Sequence, residues 1–146
     1  DYFYPMCDII INYRGMIDKY IGDSIMALFG APVADESHAE NAVNCAIEMV
    51  KRIEAVNGGL GMGIGISTGR VITGIFGSVS KKEYTALGMP VNVAARLQKL
   101  AGPGEIIISD TTKSKLNGSI PFRKWGTTTF AALSGPTTYF KWMRDD

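Results

Sequence analysis

The spacing of apolar residues predicts three helices. Residues 1 to 13 carry apolar side chains at helical spacing, namely Phe3, Met6, Cys7, Ile10 and Ile11. A second helix is predicted after the N-cap Asp35, continuing to about Glu54, with Asn57-Gly-Gly59 as its stop. Pro90 stands where the first turn of a helix accepts proline, so a third helix is predicted to about Leu100. The apolar face of the second helix comprises Ala39, Ala42, Val43, Ala46, Ile47, Val50 and Ile53.

Short apolar runs predict the strands. Residues 16 to 21 and 24 to 29 flank a Gly22-Asp23 turn and are typical of a β-hairpin. Met62, Ile64, Ile66 and Thr68 alternate with Gly61, Gly63, Gly65 and Ser67, which predicts a strand over 62 to 68. Because one face of this strand has almost no side chains, we expect it to pack closely against a partner rather than to form a phosphate cradle. Asp110 is expected to cap one helical turn to Leu116. The remaining expectations are strands at 70 to 76, 105 to 109, 122 to 125, 127 to 131 and 138 to 142, and a polar loop at 77 to 82.

This mixture of hairpins and helices predicts one layered α+β domain of ferredoxin-like type. Its 146 residues, 46% hydrophobic and 20% charged, are typical of a soluble globular domain. Fifteen basic against 14 acidic residues give a net charge of +1, and no apolar run approaches the roughly 18 residues of a membrane span. Cys7 and Cys45 form no Cys-x-x-Cys pair. We therefore expect a cytoplasmic domain with no nucleic-acid partner and no membrane contact from this segment.

Two polar residues lie on the first predicted hairpin. Asp23, held in a Gly-Asp turn, is a rigid carboxylate that suits a hard cation such as Mg²⁺. Aspartate is also simply favoured in turns, and from this residue alone that interpretation stays open. Lys19 lies four residues earlier and by itself is typical of a solvated strand edge. Because both residues belong to one hairpin, their backbones are rigidly related.

Two further polar residues lie on the helix that begins near Pro90. Asn92 and Arg96 are four residues apart, so their side chains project from the same helix face. A planar guanidinium beside a carboxamide suits phosphate oxygens and a ribose oxygen. The spacing fits a surface arginine with a neighbouring asparagine equally well.

Two segments together resemble the catalytic domain of class III nucleotide cyclases of the adenylyl type. The first is Asp18-Lys-Tyr-Ile-Gly-Asp-Ser-Ile-Met-Ala-Leu-Phe-Gly30, and the second is Glu83-Tyr-Thr-Ala-Leu-Gly-Met-Pro-Val-Asn-Val-Ala-Ala-Arg-Leu-Gln98. The resemblance covers residues 1 to 146 and implies a ferredoxin-like βαββαβ core that lacks its opening strand. That strand carries the first metal-binding aspartate of the family. The N-terminally truncated chain is therefore expected to have little or no activity in isolation.

The resemblance also implies roles for individual residues. Lys19 and Thr85 would read adenine, since a lysine can donate to a ring nitrogen and a threonine hydroxyl can accept from the exocyclic amino group. Threonine at this position resembles bacterial and soluble mammalian adenylyl types, whereas guanylyl members usually have Glu and Cys at the two places. Asp23 would bind metal, Asn92 would orient the ribose, and Arg96 would stabilise charge on the transferred phosphoryl group.

The implied reaction converts ATP to 3′,5′-cyclic AMP and pyrophosphate, with two Mg²⁺ or Mn²⁺ ions in each complete site. The family works as a head-to-tail pair of domains, so a homodimer with shared sites is expected, in which Asp23 and the base-reading residues of one chain serve opposite sites. Two alternatives are a catalytically silent cyclase-homology domain acting as a regulatory nucleotide-binding module, and a structural dimerisation domain. The four polar residues on the hairpin and helix disfavour the last.

Overall fold

The computed structural model describes residues 3–56, 61–78, 80–129 and 136–144. Helices separate groups of consecutive strands along the chain, which confirms the predicted α+β class. The predicted stop at residues 57 to 59 lies outside the described residues. The elements are α1 (Phe3–Asn12), β1 (Gly15–Ile21), β2 (Ser24–Phe29), α2 (His38–Val56), β3 (Ile64–Ile66), β4 (Ile72–Ser78), β5 (Lys81–Leu87), α3 (Met89–Leu100), β6 (Ile106–Ser109), α4 (Asp110–Lys113), β7 (Phe122–Thr128) and β8 (Thr137–Trp142).

The strands form one larger sheet and two hairpins. The four-stranded sheet has the order β3-β6-β8-β7, in which β3 and β6 are parallel and the other pairs are antiparallel. The hairpins are β1-β2 and β4-β5, both antiparallel. The parallel pair requires a long connection between its strands, and the β4-β5 hairpin and α3 supply it.

Two helices cover opposite faces of the four-stranded sheet. Ile106 and Ile108 of β6 are fully buried in a cluster with Val50 of α2. Ile107, between them, is buried with Leu97 of α3. This alternation follows from the period of two along a strand. Because full burial of such a side chain contributes roughly 1.5–3 kcal/mol, the sheet holds both helices firmly.

The glycine-lined face of β3 is where α3 approaches most closely. A methyl group at Gly65 would lie 2.4 Å from both the Ala94 carbonyl oxygen and the Gln98 nitrogen. The prediction that these glycines serve packing is therefore confirmed. The backbone of α3 lies directly against the sheet, which sets the position of every side chain on this helix.

A second core lies between α1, α2 and the β1-β2 hairpin. Met6, Ile9 and Ile10 of α1 are buried with Cys45 and Met49 of α2. Helical spacing predicts Ile11 on this face, but its side chain is 61% exposed. Ile9, which is only 2% exposed, occupies the core instead, because the stripe of α1 that packs against α2 and β1 runs along Met6, Ile9 and Ile10.

The predicted polar loop at residues 77 to 82 is wrong. β4 continues to Ser78 and β5 begins at Lys81, with Gly77 opposite Lys82 and Ser78 opposite Lys81. The polar composition misled the prediction, because the backbone pairing of a hairpin does not require apolar side chains at its end. As a result, Thr85 lies within a strand rather than after a loop.

Other element boundaries also differ from prediction. β3 spans only Ile64–Ile66 of the strand predicted over 62 to 68, and β4 spans Ile72–Ser78 instead of 70 to 76. α2 begins at His38, because Asp35 forms a local turn in which its Oδ1 accepts a hydrogen bond from the Ser37 amide. α4 ends at Lys113, and its N-cap is Ser109, whose hydroxyl accepts from the Thr112 amide. In the tail, β7 is one continuous strand with a bulge where two strands were predicted. Within the described ranges, no helix is long and apolar enough to cross a membrane.

Candidate active site

A β-bulge in β1 shapes the site. Ile17 pairs with Ala27 and Lys19 pairs with Met26, which leaves Asp18 without an opposite residue in the ladder. Such bulges break the alternation of a strand and turn a side chain in a new direction. The Asp18 side chain is only 1% exposed.

Asp18 connects the two predicted base-reading residues. The Thr85 hydroxyl donates a hydrogen bond of 2.7 Å to Asp18 Oδ2, across 67 positions of sequence. The Lys19 Nζ lies 3.9 Å from Asp18 Oδ1. Thr85 is buried, while the Lys19 side chain keeps 38% of its surface exposed. The fold therefore brings Lys19 and Thr85 together, and the lysine is not a freely solvated edge residue.

The sequence patterns alone do not single out Asp18 as a functional candidate. A signal was present, because aspartate is depleted from strand interiors and Asp18 lies in the middle of β1. Only the bulge and the approach of β5 show where this carboxylate points.

Asp23 lies at the exposed turn between β1 and β2. The preceding Gly22 has φ of 61°, a left-handed conformation that glycine adopts without strain. Within the described residues, no three His, Cys, Asp or Glu side chains are placed to hold a metal ion together. Mg²⁺ is commonly held by one or two carboxylates together with substrate phosphates and water. Asp23 thus fits the role of a single carboxylate ligand.

α3 presents the remaining predicted site residues. Asn92 and Arg96 are both exposed, whereas Val93 and Leu97 on the other side of the helix are buried. The Arg96 Nε donates a long hydrogen bond of 3.4 Å to the Thr128 hydroxyl on β7. The structure therefore leaves the guanidinium at the surface, where it can reach an anionic ligand.

Exposed apolar side chains lie on the same two hairpins as Lys19 and Thr85. Ile72, Ile75 and Leu87 on the β4-β5 hairpin are 70%, 70% and 50% exposed. Tyr20 and Ile21, at the tip of β1, are also more than half exposed. The hydrogen bond with the Cys7 thiol is the main cause, and desolvation a lesser one, of a raised pKa for Tyr20. Large apolar side chains exposed on neighbouring strands are typical of an interaction surface.

Comparison with known proteins gives a consistent picture. The chain is 32% identical over 137 residues to adenylate cyclase 1 of Rhizobium meliloti, and the match covers 87% of this chain but 21% of that protein. The structure superposes on the adenylyl cyclase CyaB of P. aeruginosa with a TM-score of 0.90 and 31% identity, covering 99% of this chain and 80% of that one. It superposes on the guanylyl cyclase Cya2 with a TM-score of 0.90 and 33% identity, covering 97% and 76%.

Overall similarity extends to cyclases of both nucleotide types, so it leaves the choice of base to individual side chains. The chain spans about a fifth of the length of the Rhizobium meliloti relative. The family model described as the adenylate and guanylate cyclase catalytic domain matches residues 2–141, nearly the whole chain. On this match and these superpositions, the chain belongs to the adenylate and guanylate cyclase catalytic domain family.

Proposed function

We propose that this domain, within its complete protein, converts ATP to 3′,5′-cyclic AMP and pyrophosphate. The observation that carries the proposal is the convergence of Lys19 and Thr85 on the buried Asp18 carboxylate. An ammonium group and a hydroxyl group in this arrangement suit the edge of adenine. The ammonium can donate to ring nitrogen N1, and the hydroxyl oxygen can accept from the 6-amino group.

In the proposed reaction, the ribose 3′-oxygen attacks the α-phosphorus in line with the bond to the leaving oxygen. The new bond between the 3′-oxygen and the phosphorus forms as that bond breaks, pyrophosphate leaves, and the 3′-hydroxyl proton is released. Arg96 stabilises the charge that develops on the phosphoryl oxygens, and Asn92 orients the ribose. Positioning and charge stabilisation supply most of the rate in phosphoryl transfer.

Asp23 is the residue of this chain that would hold a catalytic Mg²⁺ or Mn²⁺. When bound, such ions activate an attacking hydroxyl and neutralise charge on a leaving phosphate. The exposed position of Asp23 at a hairpin turn leaves room for phosphate oxygens and water as further ligands.

We further propose that two copies of the domain form the working unit. The exposed apolar side chains on β4, β5 and the tip of β1 support this proposal, since burying them against a second copy removes them from water. These strands also carry Lys19 and Thr85, so an interface here would adjoin the nucleotide site.

The nucleotide preference of the full-length protein tests the proposal. We expect kcat/KM for ATP to exceed that for GTP by at least about tenfold, the effect of one well-placed hydrogen bond. Combining Lys19→Glu with Thr85→Cys should lower kcat/KM for ATP by about 100-fold. The matched control combines Lys115→Glu with Thr127→Cys, both at exposed positions outside the two hairpins, and should leave kcat/KM for ATP unchanged.

Comparable kcat/KM values for ATP and GTP in the wild type would defeat the adenylate assignment. An unchanged rate in the Lys19 and Thr85 double variant would show that these residues do not read the base. Tight ATP binding without turnover by the full-length protein would favour the catalytically silent regulatory module instead.

A further inference from the structure

Asp18 is a buried carboxylate that contacts both Thr85 and Lys19. Its carboxylate is buried at a strand bulge, where aspartate is neither favoured by propensity nor exposed to water. A carboxylate in such a place is costly unless its oxygens have partners. One partner is the Thr85 hydroxyl, and the Lys19 ammonium lies near the other oxygen. Both neighbours are hydrogen-bond donors.

The hydrogen bond to Asp18 determines which way the Thr85 hydroxyl points. A threonine hydroxyl has one hydrogen and two lone pairs, and a carboxylate can only accept. The distance of 2.7 Å between Thr85 Oγ1 and Asp18 Oδ2 is typical of a short, charge-assisted bond. Since the single hydrogen of Thr85 is used in this bond, the hydroxyl can offer only lone pairs to a ligand.

The second carboxylate oxygen of Asp18, Oδ1, attracts Lys19 without using its hydrogens, so Lys19 can still bind a ligand. Among the described residues, Asp18 Oδ1 is buried and has no hydrogen-bond partner. Lys19 Nζ lies 3.9 Å from it, close enough for attraction but too far for a hydrogen bond. The ammonium is thus held near the site while its hydrogens remain free to bond to a base.

We propose that Asp18 is the positioning residue that makes this site select adenine over guanine, an inference that rests on the adenylate cyclase function proposed above. With Asp18 present, Thr85 is an acceptor and Lys19 is a donor. Adenine offers the matching pair, a 6-amino donor beside the N1 acceptor. Guanine offers the opposite pair, an O6 acceptor beside an N1–H donor, so both contacts become repulsive or unpaired. Thr85 by itself, free to rotate, could donate to O6 as readily as accept from an amino group.

The decisive experiment replaces Asp18 by asparagine in the full-length protein. Asp18→Asn keeps the shape but adds an amide donor, which can bond to Thr85 Oγ1 and free the threonine hydrogen. We expect the ratio of kcat/KM for ATP to that for GTP to fall by about tenfold or more, the effect of one reversed hydrogen bond. The exposed Asp8 on α1 provides the matched control, and Asp8→Asn should keep the wild-type ratio. Circular dichroism and thermal unfolding confirm that the variants are folded.

A double-mutant cycle separates positioning from a general structural effect. If Asp18 acts through the threonine hydroxyl, Asp18→Asn should not change the ATP-to-GTP ratio further in a Thr85→Val background. A purely structural role would lower both activities in either background without changing the ratio. A folded Asp18→Asn variant with the wild-type ratio overturns the proposal, and so does an equal shift of the ratio in the Thr85→Val background.

The wild type provides a second measurement should Asp18→Asn fail to fold. Purine riboside triphosphate has the N1 acceptor of ATP but lacks its 6-amino group. If Thr85 is held as an acceptor, this analogue should compete for the site about tenfold more weakly than ATP. Equal competition by the two nucleotides overturns the inference. A wild-type protein that does not prefer ATP to GTP would contradict the proposed adenylate cyclase function itself. That outcome is distinct from a failure of the Asp18 inference, which concerns the variants and the analogue.

Discussion

The contact between β3 and α3 predicts the consequence of adding a single methyl group to the protein. In Gly65→Ala, the new Cβ would lie 2.4 Å from backbone atoms of Ala94 and Gln98, whereas real Cβ contacts are essentially never shorter than 3.0 Å. Both obstructing atoms belong to the helix backbone, so no side chain can rotate away. The helix and the strand must separate by at least the shortfall of about 0.6 Å.

We expect this separation to lower the free energy of unfolding by about 1–3 kcal/mol, the usual cost of overpacking a tight core. Under the proposed function it should also lower kcat of the full-length protein by about tenfold or more, because Asn92 and Arg96, the residues proposed to act on the nucleotide, move with α3 and misplacement by about 1 Å is costly for catalysis. Urea unfolding followed by circular dichroism measures the first effect, and steady-state kinetics measures the second.

Gly74→Ala is the matched control for stability. Gly74 also lies in a strand, but a methyl group added there would have its nearest neighbour 3.6 Å away, an ordinary contact. This substitution should be neutral or slightly stabilising, since alanine loses less conformational entropy than glycine on folding. A Gly65→Ala protein as stable as the wild type would refute the reasoning about helix packing.

Two further predictions concern the shared site and pH. Asp23→Ala and Arg96→Ala should each abolish activity. An equal mixture of the two variants should recover about a quarter of wild-type activity, since half of the dimers are mixed and each mixed dimer holds one intact site. A mixture that stays inactive despite proven subunit exchange contradicts a shared site. Hydrogen bonds from Lys141 and a backbone amide hold the pKa of Glu105 below its usual value of 4.5. The stability that these hydrogen bonds contribute is therefore fully present above pH 4.5 and is lost as the pH falls through the lowered pKa. Glu105→Gln should therefore be less stable than wild type at neutral pH by up to about 1 kcal/mol, and urea unfolding at several pH values should show the difference narrowing under acid conditions.

Local patterns were enough to predict much of this protein. The spacing of Asn92 and Arg96 predicts that both lie on one face of a helix, because a helix repeats every 3.6 residues, and the structure shows that face exposed. Gly22-Asp23 between two apolar runs predicts the first hairpin, and the observed strands end at Ile21 and begin again at Ser24. The glycines of β3 predict close packing. Each of these features depends on neighbours in sequence, which is why a pattern can reveal it.

The tertiary structure alone decided the features that depend on distant residues. Residues 81 to 87 are polar at their start, and only pairing with β4 makes them a strand. Asp18 is turned inward by a bulge that the alternation of β1 does not predict, and it contacts Thr85 across 67 positions. Strand pairing and burial are settled by long-range contacts, whereas sequence patterns report local geometry. Lys19 and Thr85, which we propose to read the base, could be named from sequence, but the carboxylate proposed to orient Thr85 became visible only when the two hairpins were brought together.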